Sequence, residues 1–171
     1  HDALPICIQG ALVSHGSSTV PQYIVNEINA LGGNIQNAYG ISKEELKAAI
    51  PCGIGKINVD TDIRLAVTRN FRELFRDHPE LKDDPKAGGV WKLLDEKRDA
   101  FDPRAFLAPI MDTVMYGTGD EGAVARITDA MRRGVKEAVG TLIVEFGSYG
   151  KAPLVEPATL EDMAARYAKE G

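Results

Sequence analysis

Two short apolar segments, ALVS at 11–14 and GKINV at 55–59, each run through a polar cluster into a helical pattern. This alternation constrains the fold more than any other feature of the chain. Strands separated by helices pair in parallel through a crossover, as α/β units do, whereas a hairpin needs only a tight turn. After the first strand, Pro21 can occupy a first helical position, where the missing N–H costs nothing. Tyr23, Ile24, Ile28 and Leu31 then recur at helical spacing until Gly32-Gly33 stops them. Ser42 and Glu45 form a capping box that opens a short helix carrying Leu46, Ala49 and Ile50, ended by Pro51 and Gly53. After the second strand, a helix rich in Arg and Phe is predicted from Ile63 to about Arg76.

The remainder reads as helical. HPELKDDPKAGG (78–89) is a polar stretch punctuated by Pro and Gly, read as a loop and as the internal boundary between 1–77 and 78–171. Asp102-Pro103 is a cap followed by a proline at the first helical position, leading Phe106, Leu107, Ile110, Met111 and Val114. Val124, Ile127, Met131, Val135 and Val139 mark a long amphipathic helix to about Phe146, and Thr159 opens a last one with Leu160, Met163 and Tyr167. Their apolar stripes are read as packing faces. With 171 residues, 44% hydrophobic, the chain can bury one sizeable core.

The polar clusters sit where chemistry would be expected. His15, Gly16 and Ser18 follow the first strand, and Asn58, Asp60 and Thr61 end the second. In parallel sheets and barrels, ligands bind at the carboxyl ends of the strands. His15 suits a zinc ion, which a catalytic site usually holds with about three protein ligands; His1 and His78 have no spacing that brings them near it. The Gly16-Ser17-Ser18 turn suits an anion, since glycine lets backbone N–H groups approach phosphate oxygens beside a helix N-terminus. Lys56 either helps hold a phosphorylated ligand or makes a structural ion pair. Asp60 and Asp62, two residues apart, would share a face of an extended strand. Asp60 could orient a polyol hydroxyl or a cation, and Asp62 is read as a cap of the following helix. The bland alternative makes each cluster an ordinary satisfied loop.

Three stretches, LVSHGSSTVPQ, INALGGNIQNAYGIS and GIGKINVDTDIRLAVTRNFRE, resemble the C-terminal part of class II fructose-1,6-bisphosphate aldolases, most like the Calvin-cycle subtype. The likeness resumes at FDPRAFLAPIMD and at EFGSYGKAPLVEPATLEDMAARYAKEG. It implies the last two strands and helices of a TIM (β/α)8 barrel, an α/β fold, with an extended C-terminal helical arm. It also implies zinc-dependent, reversible cleavage of fructose 1,6-bisphosphate to dihydroxyacetone phosphate and glyceraldehyde 3-phosphate. By motif position, His15 resembles the last zinc ligand. Gly16, Ser17 and Ser18 resemble the turn that holds the dihydroxyacetone phosphate end, and Asn58, Asp60 and Thr61 the second substrate-binding segment. Zinc would polarise the ketone as a Lewis acid; a monovalent cation is a further candidate cofactor.

A complete barrel needs about 250 residues, and the family's catalytic aspartate and other zinc histidines precede the part matched here. The chain starts at His1 without an initiator methionine. The expectation is therefore a C-terminal portion whose parent protein is the lyase and which is inactive alone. The opposing reading is a non-catalytic phosphosugar-binding or assembly module. A net charge of −5 argues against nucleic acid as partner, and no apolar run approaches a membrane span. Cys7 and Cys52 read as thiols of a reducing, cytoplasmic compartment. A homo-oligomer, dimer or tetramer, is expected of the complete protein.

Overall fold

Val13 and Ser14 lie beside Lys56 and Ile57 across a parallel pair of strands, as the alternation demands. The computed structural model describes residues 12–36, 38–155 and 157–170. Strand β1 (Leu12–Ser14) and strand β2 (Ile54–Ile57) form a two-stranded sheet with an irregularity between Leu12 and Val13. The crossover carries α1 (Gln22–Ala30) and α2 (Lys43–Ala49). Beyond β2 come α3 (Thr61–Asp77), α4 (Pro85–Glu96), α5 (Met111–Tyr116), α6 (Gly122–Glu145) and α7 (Leu160–Glu170). The described part is thus a mostly helical α/β structure. Ala11, Cys7 and His1 lie outside the described residues, and Cys52 is an exposed free thiol.

Most helix signals act as expected, with shifts of a residue. Pro21 stands one position before the first residue of α1, and its carbonyl accepts the N–H groups of Ile24 and Val25 at 3.0 and 3.2 Å. Ile24, Val25 and Ile28 are buried, while Tyr23 is half exposed, so the packed face is rotated relative to the expected one. The capping box of α2 is complete. Ser42 Oγ accepts the Glu45 N–H at 3.2 Å, and the Glu45 carboxylate accepts the Ser42 N–H at 3.1 Å. Ser42→Ala should cost about 1 kcal/mol in urea unfolding; an unchanged midpoint would show that the box is not holding the crossover.

Two stretches differ from expectation. Residues 78–89 are a 3₁₀ turn (Pro79–Asp83) leading straight into α4. The Asp84-Pro85 pair reads as a breaker but acts as a start signal: Asp84 accepts the N–H groups of Lys86 and Ala87 at 2.9 and 2.8 Å, with proline first in the helix. Leu81 and Ala87 of this stretch, with Val90 just after it in α4, are buried in the same cluster as Phe71 and Phe75 of α3. Conversely, the helix expected after Pro103 is broken into 3₁₀ turns at Pro103–Ala105 and Ala108–Ile110 before α5. Pro109 has no N–H for an i−4 carbonyl and clashes with a continuing helix. Phe106, Leu107 and Ile110 are buried nonetheless.

Helix α3 is the spine. Along most of its length Val67, Phe71, Leu74 and Phe75 pack with Leu94, Phe106, Ile110 and Ile127; Phe71 and Phe106 meet edge to face at 5.9 Å. Nearer the sheet, Leu65 and Ala66 pack with Val20, Ile24, Ile28 and Ala138. Helix α6 lies against α3 closely enough that a Cβ on Gly134 would stand 2.9 Å from the backbone of Val67. This approach decides which face of α6 is buried. Small Gly134 and Ala138 face α3, leaving Val135, Val139 and Ile143 exposed instead of packed. Leu160, Met163 and Tyr167 of α7 are likewise exposed. Arg69, about nine-tenths buried, ties α1 to α6 by pairing with Glu27 at 3.0 Å and with Glu137. Among the described residues, no helix is long and apolar enough to cross a membrane.

Candidate functional site

Because β1 and β2 are parallel, both carboxyl ends fall on one edge, and main-chain bonds lock them together. The Asn58 N–H donates to the Ser14 carbonyl at 2.9 Å, and the Ser17 N–H donates to the Asn58 carbonyl at 3.1 Å. Gly16, at φ +64°, supplies the left-handed residue that turns the chain away from β1. An open cleft of about 590 Å³ is lined by Gly16, Ser18, Ile57, Asn58, Val59, Asp60 and Thr61. Five of the six residues expected to bind substrate therefore meet in one cleft.

Ser17 is the sixth and is fully buried. Its hydroxyl bonds to Ser14 Oγ and its N–H to Asn58, so the fold uses both. Among the described residues, the N–H groups of Gly16 and Ser18 have no protein partner. The Ser18 hydroxyl reaches across to α3 and accepts the N–H groups of Asp60 and Thr61 at 3.2 and 3.0 Å. It thereby serves the N-terminus of a helix whose own N-cap side chain makes no capping bond.

His15 is exposed, with Nδ1 2.9 Å from the Asn58 carboxamide nitrogen. The Lys56 ammonium donates to the Asn58 carboxamide oxygen. The lysine thus orients the carboxamide so that its NH2 donates to Nδ1, which places the imidazole proton on Nε2. In this arrangement the ring lone pair lies on Nδ1, and a metal bound there would take the place of the Asn58 bond.

The two aspartates of the VDTD segment do not share a face. The second strand stops at Ile57, so Asp60 is the N-cap residue and Asp62 lies inside the first turn of α3. Asp60 points into solvent at 66% side-chain exposure and is held by Arg64, whose Nε donates at 2.7 Å. Arg64 Nη1 also donates to Asp102 at 2.7 Å, and Arg104 donates to the same carboxylate. The hydrogen bonds from Arg104 hold the Asp102 carboxyl below the usual carboxylate range, with the charge of Arg64 adding to them and burial opposing. The chain Arg104–Asp102–Arg64–Asp60 thus buttresses the rim of the cleft. Sequence reasoning missed Arg64, Asp102 and Arg104, although the Asp–Arg i,i+4 spacing was a usable signal. Asp62 is buried and accepts bonds from Thr19 and Val20 instead of capping its own helix.

As a metal ligand, His15 is chemically suitable and accessible. Among the described residues, no group of three or more His, Cys, Asp or Glu side chains could hold a metal ion. His15 thus offers one bond, and these residues do not form a zinc centre by themselves.

A family model described as fructose-bisphosphate aldolase class-II matches residues 2–151, and the chain belongs to that family. The chain is similar to the class 2 fructose-bisphosphate aldolase of Synechocystis sp., with 35% identity over 158 residues, covering 92% of this chain and 33% of the relative. The fructose-bisphosphate aldolase of Xanthobacter flavus is also 35% identical, with the same two coverages. The enzyme of Rhizobium meliloti is 32% identical over 98% of this chain and 35% of its own length. The chain spans about a third of the length of these curated relatives, and the part matched is C-terminal.

Proposed function

We propose that this chain supplies the C-terminal part of the active site of a class II fructose-bisphosphate aldolase, built on the last two strands of a (β/α)8 barrel. The observation that carries the reading is the meeting of His15, Gly16, Ser18, Asn58, Asp60 and Thr61 at the carboxyl edge of two adjacent parallel strands. Family membership supports it from a separate direction.

In this reading, the Gly16 and Ser18 N–H groups take the phosphoryl end of the dihydroxyacetone phosphate half. Neutral backbone donors bind an anion well where a helix N-terminus adds to them. Thr61, in the first turn of α3, adds a hydroxyl on the same side. Asn58 presents a carboxamide beside His15 and can turn to the reacting carbons once Nδ1 is engaged. Asp60, held by Arg64, orients a hydroxyl of the open-chain sugar. His15 is one ligand of a zinc ion completed by residues outside this chain. When bound, zinc supplies a Lewis acid for the substrate ketone; a monovalent cation near Asp60 is a further element of the proposal. The general acid–base aspartate also comes from outside this chain, and the assembled enzyme is a cytoplasmic homo-oligomer.

The test is reconstitution. Alone, the chain should show no zinc-dependent cleavage of fructose 1,6-bisphosphate. Mixing it with a separately produced N-terminal barrel segment from a class II relative should restore bound zinc and turnover together. Turnover by the chain alone would sink the division of the site. Phosphosugar binding without turnover in the mixture would favour a non-catalytic module.

A further inference from the structure

Val20 is the described non-glycine residue with positive φ, at +50°. β-Branched side chains rarely adopt that conformation, and such residues persist only where their surroundings impose it. Two features impose it here. The Val20 side chain is buried with Ile24 and Leu65, and its N–H donates to Asp62 Oδ1 at 2.9 Å. The same carboxylate takes two more donors from the preceding residue: the Thr19 N–H at 3.2 Å and the Thr19 hydroxyl at 2.7 Å, both on Oδ2. Asp62 is 3% exposed. Neither Asp62 nor Thr19 lines the cleft, so the arrangement serves the loop and not a ligand directly.

We infer that Asp62 is a positioning residue: with Thr19 it clasps the chain immediately after the Gly16–Ser18 turn onto α3, holding the outward N–H groups of that turn for a phosphoryl group. The inference rests on the reading of this turn as the phosphoryl end of the site. Its physical content is pre-organisation. Each backbone residue left loose until binding adds about 1–2 kcal/mol of ordering cost to that event, and three bonds to one carboxylate remove that cost in advance. Charge acts in the opposite direction. A carboxylate behind an anion-binding turn repels the anion, so removing its charge alone would tighten binding. The sign of the effect therefore separates a clasp from a bystander.

The experiment is a titration of the isotopically labelled chain with inorganic phosphate, following the Gly16 and Ser18 amide resonances. It is run at a temperature where circular dichroism shows each variant folded. Asp62→Asn should weaken phosphate about tenfold and Thr19→Val about threefold, the scale of losing charged hydrogen bonds, while Thr19→Ser should bind like the parent chain. A purely structural role predicts unchanged affinity in folded variants, and that result overturns the inference, as does tighter binding by Asp62→Asn. Should Asp62→Asn fail to fold, Thr19→Val, which changes no charge, decides alone. A parent chain that binds no phosphate overturns the phosphoryl reading of the turn together with the clasp. Equal binding by parent and variants overturns the clasp alone.

Discussion

In an enzyme assembled around this chain, His15→Ala should abolish fructose 1,6-bisphosphate cleavage, with a loss of at least about a thousandfold, and should release most of the zinc. A catalytic zinc held by about three protein ligands has little redundancy, and deleting one ligand removes both affinity and the geometry that polarises the ketone. The neighbouring residues should behave differently. Asn58→Ala deletes the carboxamide at Nδ1 but leaves the imidazole, so metal should remain bound at saturating zinc while turnover falls. Asp60→Ala removes one of the two carboxylates that Arg64 holds, leaving it on Asp102, and should damage substrate affinity or rate with zinc content unchanged. Zinc content by mass spectrometry, measured beside the rate, separates these cases. A His15→Ala protein that keeps full zinc and near-normal turnover would refute the assignment of the SHGSS segment.

The second large effect concerns stability and sits far from the cleft. Gly134→Val should destabilise the chain by roughly 3 kcal/mol, the upper range of overpacking. The added carbons meet the backbone of Ala66 and Val67, which cannot rotate away. Helices α3 and α6 would have to separate, opening both apolar clusters. Gly140, six residues later on the same helix, is the control, because a Cβ there meets nothing within 4 Å. Gly140→Ala should gain up to about 1 kcal/mol from helix propensity. Opposite signs in urea unfolding are the expected outcome. A neutral Gly134→Val would mean that the two helices do not pack as described.

Much of the arrangement was legible in the sequence, and what was not has identifiable causes. The parallel pairing followed from strands alternating with helices, and the two polar clusters met because parallel strands end on one edge. The Ser42 box and the Thr159 cap are readable because capping is local chemistry. The 78–89 stretch reads as a loop because an Asp-Pro pair can end one element or begin the next, and the burial of Ala87 and Val90 selects the second use. Val135 and Val139 were assigned to the buried face because size usually marks it. Where helices nearly touch, small residues take that face: Ala130, Gly134 and Ala138 recur every four residues along α6 and are buried, a spacing that a reading by apolar size passes over. In the cleft, the residue types were visible but their division of labour was not. Ser17 faces inward, Asp62 reaches back to Thr19 and Val20, and Asp102 reaches Arg64 across 38 positions; each depends on tertiary placement.

Arg69 joins α1 to α6 with the cation and its partners in different surroundings. The guanidinium is 10% exposed, while Glu27 and Glu137 are 46% and 41% exposed. Mobile ions reach the carboxylates far more readily than the guanidinium, and screening weakens pairs in proportion to their contact with water. Ionic strength therefore acts on this joint unevenly. It loosens the tether of α1 to α6 while leaving the main-chain bonds between β1 and β2 untouched. Since α1 follows the SHGSS turn after only Thr19, Val20 and Pro21, salt concentration becomes a control on how firmly that wall of the cleft is backed, and it reaches the opposite wall through the exposed pairs of Asp60 with Arg64 and of Arg104 with Asp102.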